Sequence, residues 1–309
     1  MTTRSRKYTQ KYKQRQNKTQ KRKYNKNKEV FYIAYITIPV NKHRKNQNKH
    51  VISHRLYKLF CSMKNSQVVC VKYNEPKIRE ILNRCHACVL PPENLFNMDS
   101  CDESNTLDFY NHCFELYKYI KERNEKQGRF PTLGICRSFQ NIILFEKYGR
   151  KLVSQKRLLP CGDKKDEFHS VKLVNKKFLI NFEIPPERSI IFKGMGKQKL
   201  DLLTNTHGIP HNNNYGFYLH ELKNRSWFTD NFKAISYTYD RLKYKVINTI
   251  EHNKYPIFGI QCHPEYSKRT RFVYDFFEEQ LNLSLRVDCN TPPETNYKYK
   301  IKDNYLIFS

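Results

Sequence analysis

Ten residues near the middle of this chain, Pro131-Thr132-Leu133-Gly134-Ile135-Cys136-Arg137-Ser138-Phe139-Gln140, constrain its fold more than any other stretch. A short apolar run reads as a buried strand. A helical pattern begins at Arg137 and is carried by Phe139, Ile142, Ile143 and Phe145 until Gly149. Only a tight turn fits between them, which puts Cys136 at a strand-to-helix elbow with its sulfur exposed and a helix N-terminus behind it. The flanking Gly134 and the helix pattern that follows are what such an elbow needs. Sites of this kind lie at the carboxyl ends of strands in open parallel sheets.

Far downstream, Gly259-Ile260-Gln261-Cys262-His263-Pro264-Glu265 ends a second apolar strand with a histidine and a carboxylate two residues apart. Together the two stretches point to a Cys136-His263-Glu265 triad. The chemistry explains the residue types. A free thiol with pKa ~8.5 is mostly protonated at neutral pH, and a helix N-terminus and a nearby imidazole both favour the nucleophilic thiolate. His263 can take and return the proton, while Glu265 holds its ring in the useful tautomer. The plainer fates are a small buried hydrophobe for Cys136 and a turn cap for His263. Two such residues, each closing its own strand, argue against both.

The rest of the chain supplies the sheet. Val30–Ile38 is a β-branched and aromatic run ended by Pro39, hence a central strand. After the basic loop Lys42–Lys49, the positions Val51, Ile52, Leu56, Leu59, Phe60 and Met63 have helical spacing. Gln67–Val71 is a second strand, Ile78, Ile81 and Leu82 mark a short helix, and Ala87–Leu90 is a third strand. Thr106–Lys126 is a longer helix with Leu107, Tyr110, Phe114, Tyr117 and Ile120 on one stripe, which reads as core. From about 165 to 250 the pattern is shorter strands with polar turns such as His211-Asn212-Asn213-Asn214. Lys233–Tyr239, Lys245–Ile250 and Tyr255–Ile260 follow as consecutive strands, then a final helix, Arg269–Asn282. Strands alternating with helices imply an α/β fold with a doubly wound, mostly parallel, flavodoxin-like sheet. Residues 1–28 read as a disordered basic tail, 29–285 as a single domain, and 286–309 as a polar C-terminal tail.

Charge sharpens the picture of the tail. Of the net charge of +28, twelve lysines and arginines and no acid fall in residues 1–28. With almost no aliphatic residues, that segment is expected to stay unfolded. It is a candidate nucleic-acid ligand or nuclear localisation signal, although an AT-biased genome would enrich Lys, Asn, Tyr and Ile without any such demand. The chain has no apolar run long enough for a membrane span and no secretory h-region. Ten cysteines at irregular spacing fit reduced thiols and an intracellular location, cytoplasmic or nuclear. Cys85 and Cys88 form a lone CxxC with no second pair, so no metal or other cofactor is expected.

With these residues in view, the chain resembles the class I glutamine amidotransferase-like superfamily and, within it, the gamma-glutamyl hydrolase family, over roughly residues 30–283. Family members carry Gly-x-Cys-x-Gly-Phe-Glu at the elbow and Tyr-Pro-x-x-Gly-x-Gln-x-His-Pro-Glu downstream. Here Tyr255-Pro256-Ile257-Phe258-Gly259-Ile260-Gln261-Cys262-His263-Pro264-Glu265 matches the second closely, and Phe139 keeps the elbow phenylalanine. Gln140 stands where amidotransferases that bind glutamine have the same residue and the hydrolases usually have Glu. Asn205-Thr206-His207 looks like the family's Asn-x-His segment, which implies that His207 faces a bound γ-glutamyl group.

Two departures bear on catalysis. Ser138 replaces a family glycine two residues after the nucleophile. The family's Pro-Gly-Gly loop, whose backbone N–H helps to form the oxyanion hole, stands here as Pro91-Pro92-Glu93. Proline has no N–H to donate, which leaves the amides of Glu93 and Arg137 to build the hole. The resemblance implies a cysteine hydrolase of γ-glutamyl amide bonds, such as those of folate poly-γ-glutamate or a short γ-glutamyl peptide. Two alternatives stand beside it: a glutaminase subunit that passes ammonia to a separate synthetase, and a catalytically weak homologue that acts as a basic binding protein. A homo-oligomer is compatible with all three.

Overall fold

The computed structural model describes residues 30–39, 50–92, 103–149, 168–206, 209–266, 272–284, 293, 295, 297–302 and 305–308. The basic tail, Glu93 and His207 lie outside them. The apolar runs of the sequence do not alternate with polar residues because the central strands are covered on both faces. In β1 (Phe31–Pro39), Ile33 and Tyr35 enter one core and Ala34, Ile36 and Ile38 the other. Four strands join it in parallel: β3 (Ser66–Lys72) and β4 (Ala87–Leu90) on either side, then β5 (Thr132–Ile135) beyond β4 and β11 (Ile257–Ile260) beyond β5.

Helices fill both faces. On one side lie α2 (Ile78–Asn83), α3 (Glu103–Lys126) and α4 (Arg137–Tyr148), which bury Leu82, Tyr117, Ile120, Phe139 and Ile142. On the other lie α1 (His54–Cys61) and α8 (Phe272–Asn282), through Leu56, Phe60, Val273 and Phe277. Short helices and a small separate sheet also lie between α4 and α8. They are α5 (Lys197–Asp201), α6 (Leu219–Leu222), α7 (Ser226–Thr229) and a separate antiparallel pair, β6 (Phe168–Phe178) with β8 (Ile209–Phe217). No helix among the described residues is long and apolar enough to cross a membrane.

The doubly wound parallel centre is therefore present, but both flanks of the sheet are antiparallel. Beyond β11 come β10 (Lys245–His252), β9 (Phe232–Tyr239) and β7 (Asn181–Phe182). Short turns join β9 to β10 and β10 to β11, and a short turn can only return a strand antiparallel. On the opposite flank, β2 (His50–Ser53) pairs with the end of β1, and a hairpin of β12 (Tyr299–Lys302) and β13 (Tyr305–Phe308) pairs with β2.

Three local expectations change. Val51 and Ile52, assigned to a helix by their spacing from Leu56, belong to β2, and the helix starts at His54 after the Ser53 cap. The polar C-terminal segment holds a sheet hairpin in which Leu306 and Phe308 are buried. His211-Asn212-Asn213-Asn214 is not a turn: it lies inside β8, where His211 pairs with Lys176 and Asn213 with Leu173.

Candidate active site

Cys136 stands on the expected elbow between β5 and α4. Its φ of 50° lies in the left-handed region, which costs a non-glycine residue on the order of 1–3 kcal/mol. Backbone bonds hold the strain in place. The Cys136 N–H donates to the Ile260 carbonyl over 2.7 Å, and its own carbonyl accepts from the Gln140 N–H at 3.2 Å. The residue is 8% exposed, so the thiol is not as open as the sequence suggested.

Two glycines allow the elbow helix to come so close. Gly134 and Gly259 are partners across β5 and β11. A Cβ on Gly134 would lie 3.2 Å from backbone atoms of Ser138 and Phe139, and one on Gly259 would lie 2.7 Å from the Phe139 ring. Phe139 thus seats α4 directly on bare strand backbone, and packs edge to face on Phe217 at 6.5 Å.

His263 follows β11 and is 7% exposed. Its N–H donates to the Pro210 carbonyl at 3.1 Å. Its Nδ1 lies 2.9 Å from Glu265 Oε1, which leaves Nε2 for the Cys136 thiol. Burial alone would lower the basicity of this imidazole. The neighbouring Cys136 thiol, then the Glu265 carboxylate, outweigh it and raise the pKa to about 11. Nε2 has no hydrogen-bond partner among the described residues; catalytic hydrogen bonds often form or tighten only once substrate is bound.

Arg137 and Gln140 are tied into the protein. Arg137 Nη2 and Nε donate to the Tyr110 hydroxyl at 2.6 and 3.2 Å, and its Nη1 donates to Gln140 Oε1 at 3.0 Å. Gln140 Nε2 donates to the Tyr215 carbonyl at 2.8 Å and to Gln261 Oε1 at 3.1 Å. Asn213 Nδ2 donates to the Gln261 carbonyl at 3.0 Å. These bonds tie α4, β8 and the end of β11 into one block. Ser138 Oγ donates to the Pro91 carbonyl at 2.7 Å, which docks the elbow on the buried proline pair that follows β4.

The sequence did not single out His211. It is 2% exposed, and neither ring nitrogen has a hydrogen-bond partner among the described residues. Burial, and then the charge on His263, lower its pKa to about 3. A buried neutral imidazole with both nitrogens unsatisfied is costly, and here it borders the thiol–imidazole pair. The only signal in the sequence was a second histidine four residues after His207, in a stretch whose asparagines suggested a turn.

In chemical terms, the arrangement is a thiol at a helix N-terminus, a base beside it and a carboxylate orienting the base. Such a set can run acyl transfer. Residues 43–280 match the family model described as glutamine amidotransferase class-I. Gamma-glutamyl hydrolase 2 from Arabidopsis thaliana is 22% identical over 151 residues. That alignment spans 49% of this chain and only 40% of the relative's length. Among solved structures, one from Thermoplasma acidophilum, described as a GMP synthase subunit, superposes with a TM-score of 0.50 at 14% identity. It covers 82% of this chain and 96% of the other, a likeness of fold.

Proposed function

This chain belongs to the class-I glutamine amidotransferase family, and on that premise we propose that it hydrolyses γ-glutamyl amide bonds through an acyl-enzyme on Cys136. The observation that carries the proposal is the strained elbow that holds Cys136 at the start of α4, next to the end of β11, where His263 Nδ1 lies 2.9 Å from Glu265 Oε1. Cys136 and then Glu265 raise the basicity of His263, so attack begins once that ring has taken the Cys136 proton. The thiolate attacks the γ-carbonyl carbon, and the carbonyl electrons move to oxygen. The Arg137 amide, at the first turn of α4, and the Glu93 amide are the candidate donors to that oxyanion. His263 gives its proton to the departing nitrogen as the C–N bond breaks, which leaves a thioester. The neutral imidazole then takes a proton from water, and hydroxide attack returns the γ-carboxylate and the thiolate.

The bonds of Arg137 and Gln140 to Tyr110, Tyr215 and Gln261 favour positioning parts for both side chains. They fix the elbow relative to β8 and the end of β11. The partial likeness to gamma-glutamyl hydrolase 2 supports a γ-glutamyl substrate. A glutaminase that supplies ammonia to a separate synthetase is the second reading, favoured by the fold shared with the GMP synthase structure. Incubating the protein with glutamine and with a short poly-γ-glutamate, and weighing the products by mass spectrometry, separates the two. Shortened γ-glutamyl chains support the hydrolase, glutamate and ammonia from glutamine alone support the glutaminase, and unchanged substrates refute both.

A further inference from the structure

Tyr266, the residue after Glu265, is 54% exposed, and its ring lies 5.4 Å from the His263 ring at a shallow angle of 35°. Arg55, an exposed residue of α1, holds its guanidinium carbon 5.7 Å from the centre of the Tyr266 ring. Nothing local accounts for a cation at this place. Arg55 lies in the first turn of α1, where the helix dipole disfavours positive charge. That turn contains no acid, and Arg55 makes no ion pair among the described residues. A guanidinium with no ion pair among the described residues is thus linked to the base of the candidate triad by one exposed aromatic ring.

We propose that Arg55, steadied on Tyr266, is an anion subsite for the α-carboxylate of the residue on the leaving side of the scissile bond. The inference rests on the hydrolase reading of the site. In that chemistry His263 hands a proton to the leaving nitrogen, so the leaving group departs on the His263 side, where Tyr266 and Arg55 stand. When the leaving group is glutamate or a γ-glutamyl chain, its first carboxylate is borne on the carbon attached to that nitrogen. When the substrate is glutamine, the leaving group is ammonia and nothing reaches the subsite. A guanidinium suits a carboxylate because its planar N–H groups can bond both oxygens. Arg55 then selects acidic γ-glutamyl peptides over glutamine.

The test uses the full chain carrying Cys136→Ala, so that ligands bind without turnover, titrated by calorimetry with γ-glutamylglutamate and with glutamine. Adding Arg55→Gln is expected to weaken dipeptide binding about tenfold or more, and glutamine binding by much less. Arg55→Lys should restore part of the loss. In the active protein the same substitution should raise KM for the dipeptide more than it lowers kcat. The proposal is overturned if Arg55→Gln weakens both ligands by the same factor, if it weakens neither, or if the protein with Arg55 intact binds the dipeptide no better than glutamine. Wild-type protein that cleaves neither compound would sink the hydrolase reading separately, and the calorimetry would still decide the subsite.

Discussion

The Cys136 N–H donates to the Ile260 carbonyl over 2.7 Å, and this one bond joins two motifs that lie far apart in the chain. β5 and β11 are parallel neighbours in register, Ile135 against Ile260. Both strands end at the same height, and the residues after each end meet. Cys136 turns up into α4 while Gln261–Glu265 turns away, which brings the thiol and the imidazole together with no long loop to order. A site held by sheet register needs little further ordering when substrate binds.

Cys136→Ser should lower turnover of any γ-glutamyl substrate by roughly 10³-fold or more, with the melting temperature nearly unchanged, because oxygen fits where sulfur did but gives up its proton far less readily. Cys262→Ser should be mild in its effect on rate. Cys262 is fully buried, and burial followed by the Glu265 charge raises its thiol well above the usual range. Iodoacetamide, followed by peptide mass mapping, should therefore modify Cys136 before Cys262. The reverse order, with activity lost in Cys262→Ser alone, would put the nucleophile on the wrong strand.

Two histidines of one site should titrate in opposite directions. His263 is raised to about 11 and His211 lowered to about 3. Nuclear magnetic resonance of the labelled imidazoles should find His263 charged and His211 neutral from pH 6 to 8. In Cys136→Ala the first raising influence is gone, so the His263 transition should move to lower pH. An unmoved transition would mean that Glu265 alone sets it.

The buried histidines also set the acid side of the stability curve. His50 and His86 are lowered to about 4, each first by burial, with Lys72 and Arg123 adding to it, and His211 is lower still. A base whose folded pKa lies below its unfolded value near 6.5 takes up its proton only on unfolding. Their contribution is therefore intact above 6.5 and lost as pH falls toward 4. His263 runs the other way: its contribution is full below 6.5 and fades as pH rises toward 11. Urea midpoints measured from pH 8 to pH 4 should fall on the acid side, and less steeply in His50→Phe. A flat acid limb would contradict the assignment of these rings as neutral.

The sequence carried the centre of this fold because strands covered on both faces have to be almost continuously apolar, as Phe31–Ile36 and Val68–Val71 are. It carried the elbow because a strand pattern and a helix pattern meet at one residue. What it hid was set by distant partners. Tyr305–Phe308 becomes a strand by pairing with His50–Ser53, and nothing in its own four residues announces that neighbour. His211 and Asn213 read as turn residues by composition, yet β6 pairs with them and buries both. Arg55 carries no mark in the sequence beyond its charge; it is the position of its guanidinium over Tyr266 that singles it out.

The glycine pair beneath the elbow gives a test that separates stability from alignment. An alanine methyl at Gly259 meets side-chain atoms, Phe139 Cδ2 at 2.7 Å and Ile250 Cγ1 at 2.8 Å. Rings and branches can shift, so the cost should be overpacking of about 1–3 kcal/mol in chemical denaturation. At Gly134 the methyl meets the Ile142 side chain and also elbow backbone, Phe139 N and the Ser138 carbonyl carbon at 3.2 Å. That backbone carries Cys136, so relief has to come from lifting the elbow itself, which would lengthen or break the Cys136–Ile260 bond. Gly134→Ala should then reduce kcat by a larger factor than Gly259→Ala even when the two lose similar stability, since a misplacement near 1 Å can cost about 10²-fold in rate. Equal rate losses at equal stability would show that the elbow tolerates the shift and that the close approach at Gly134 serves packing alone.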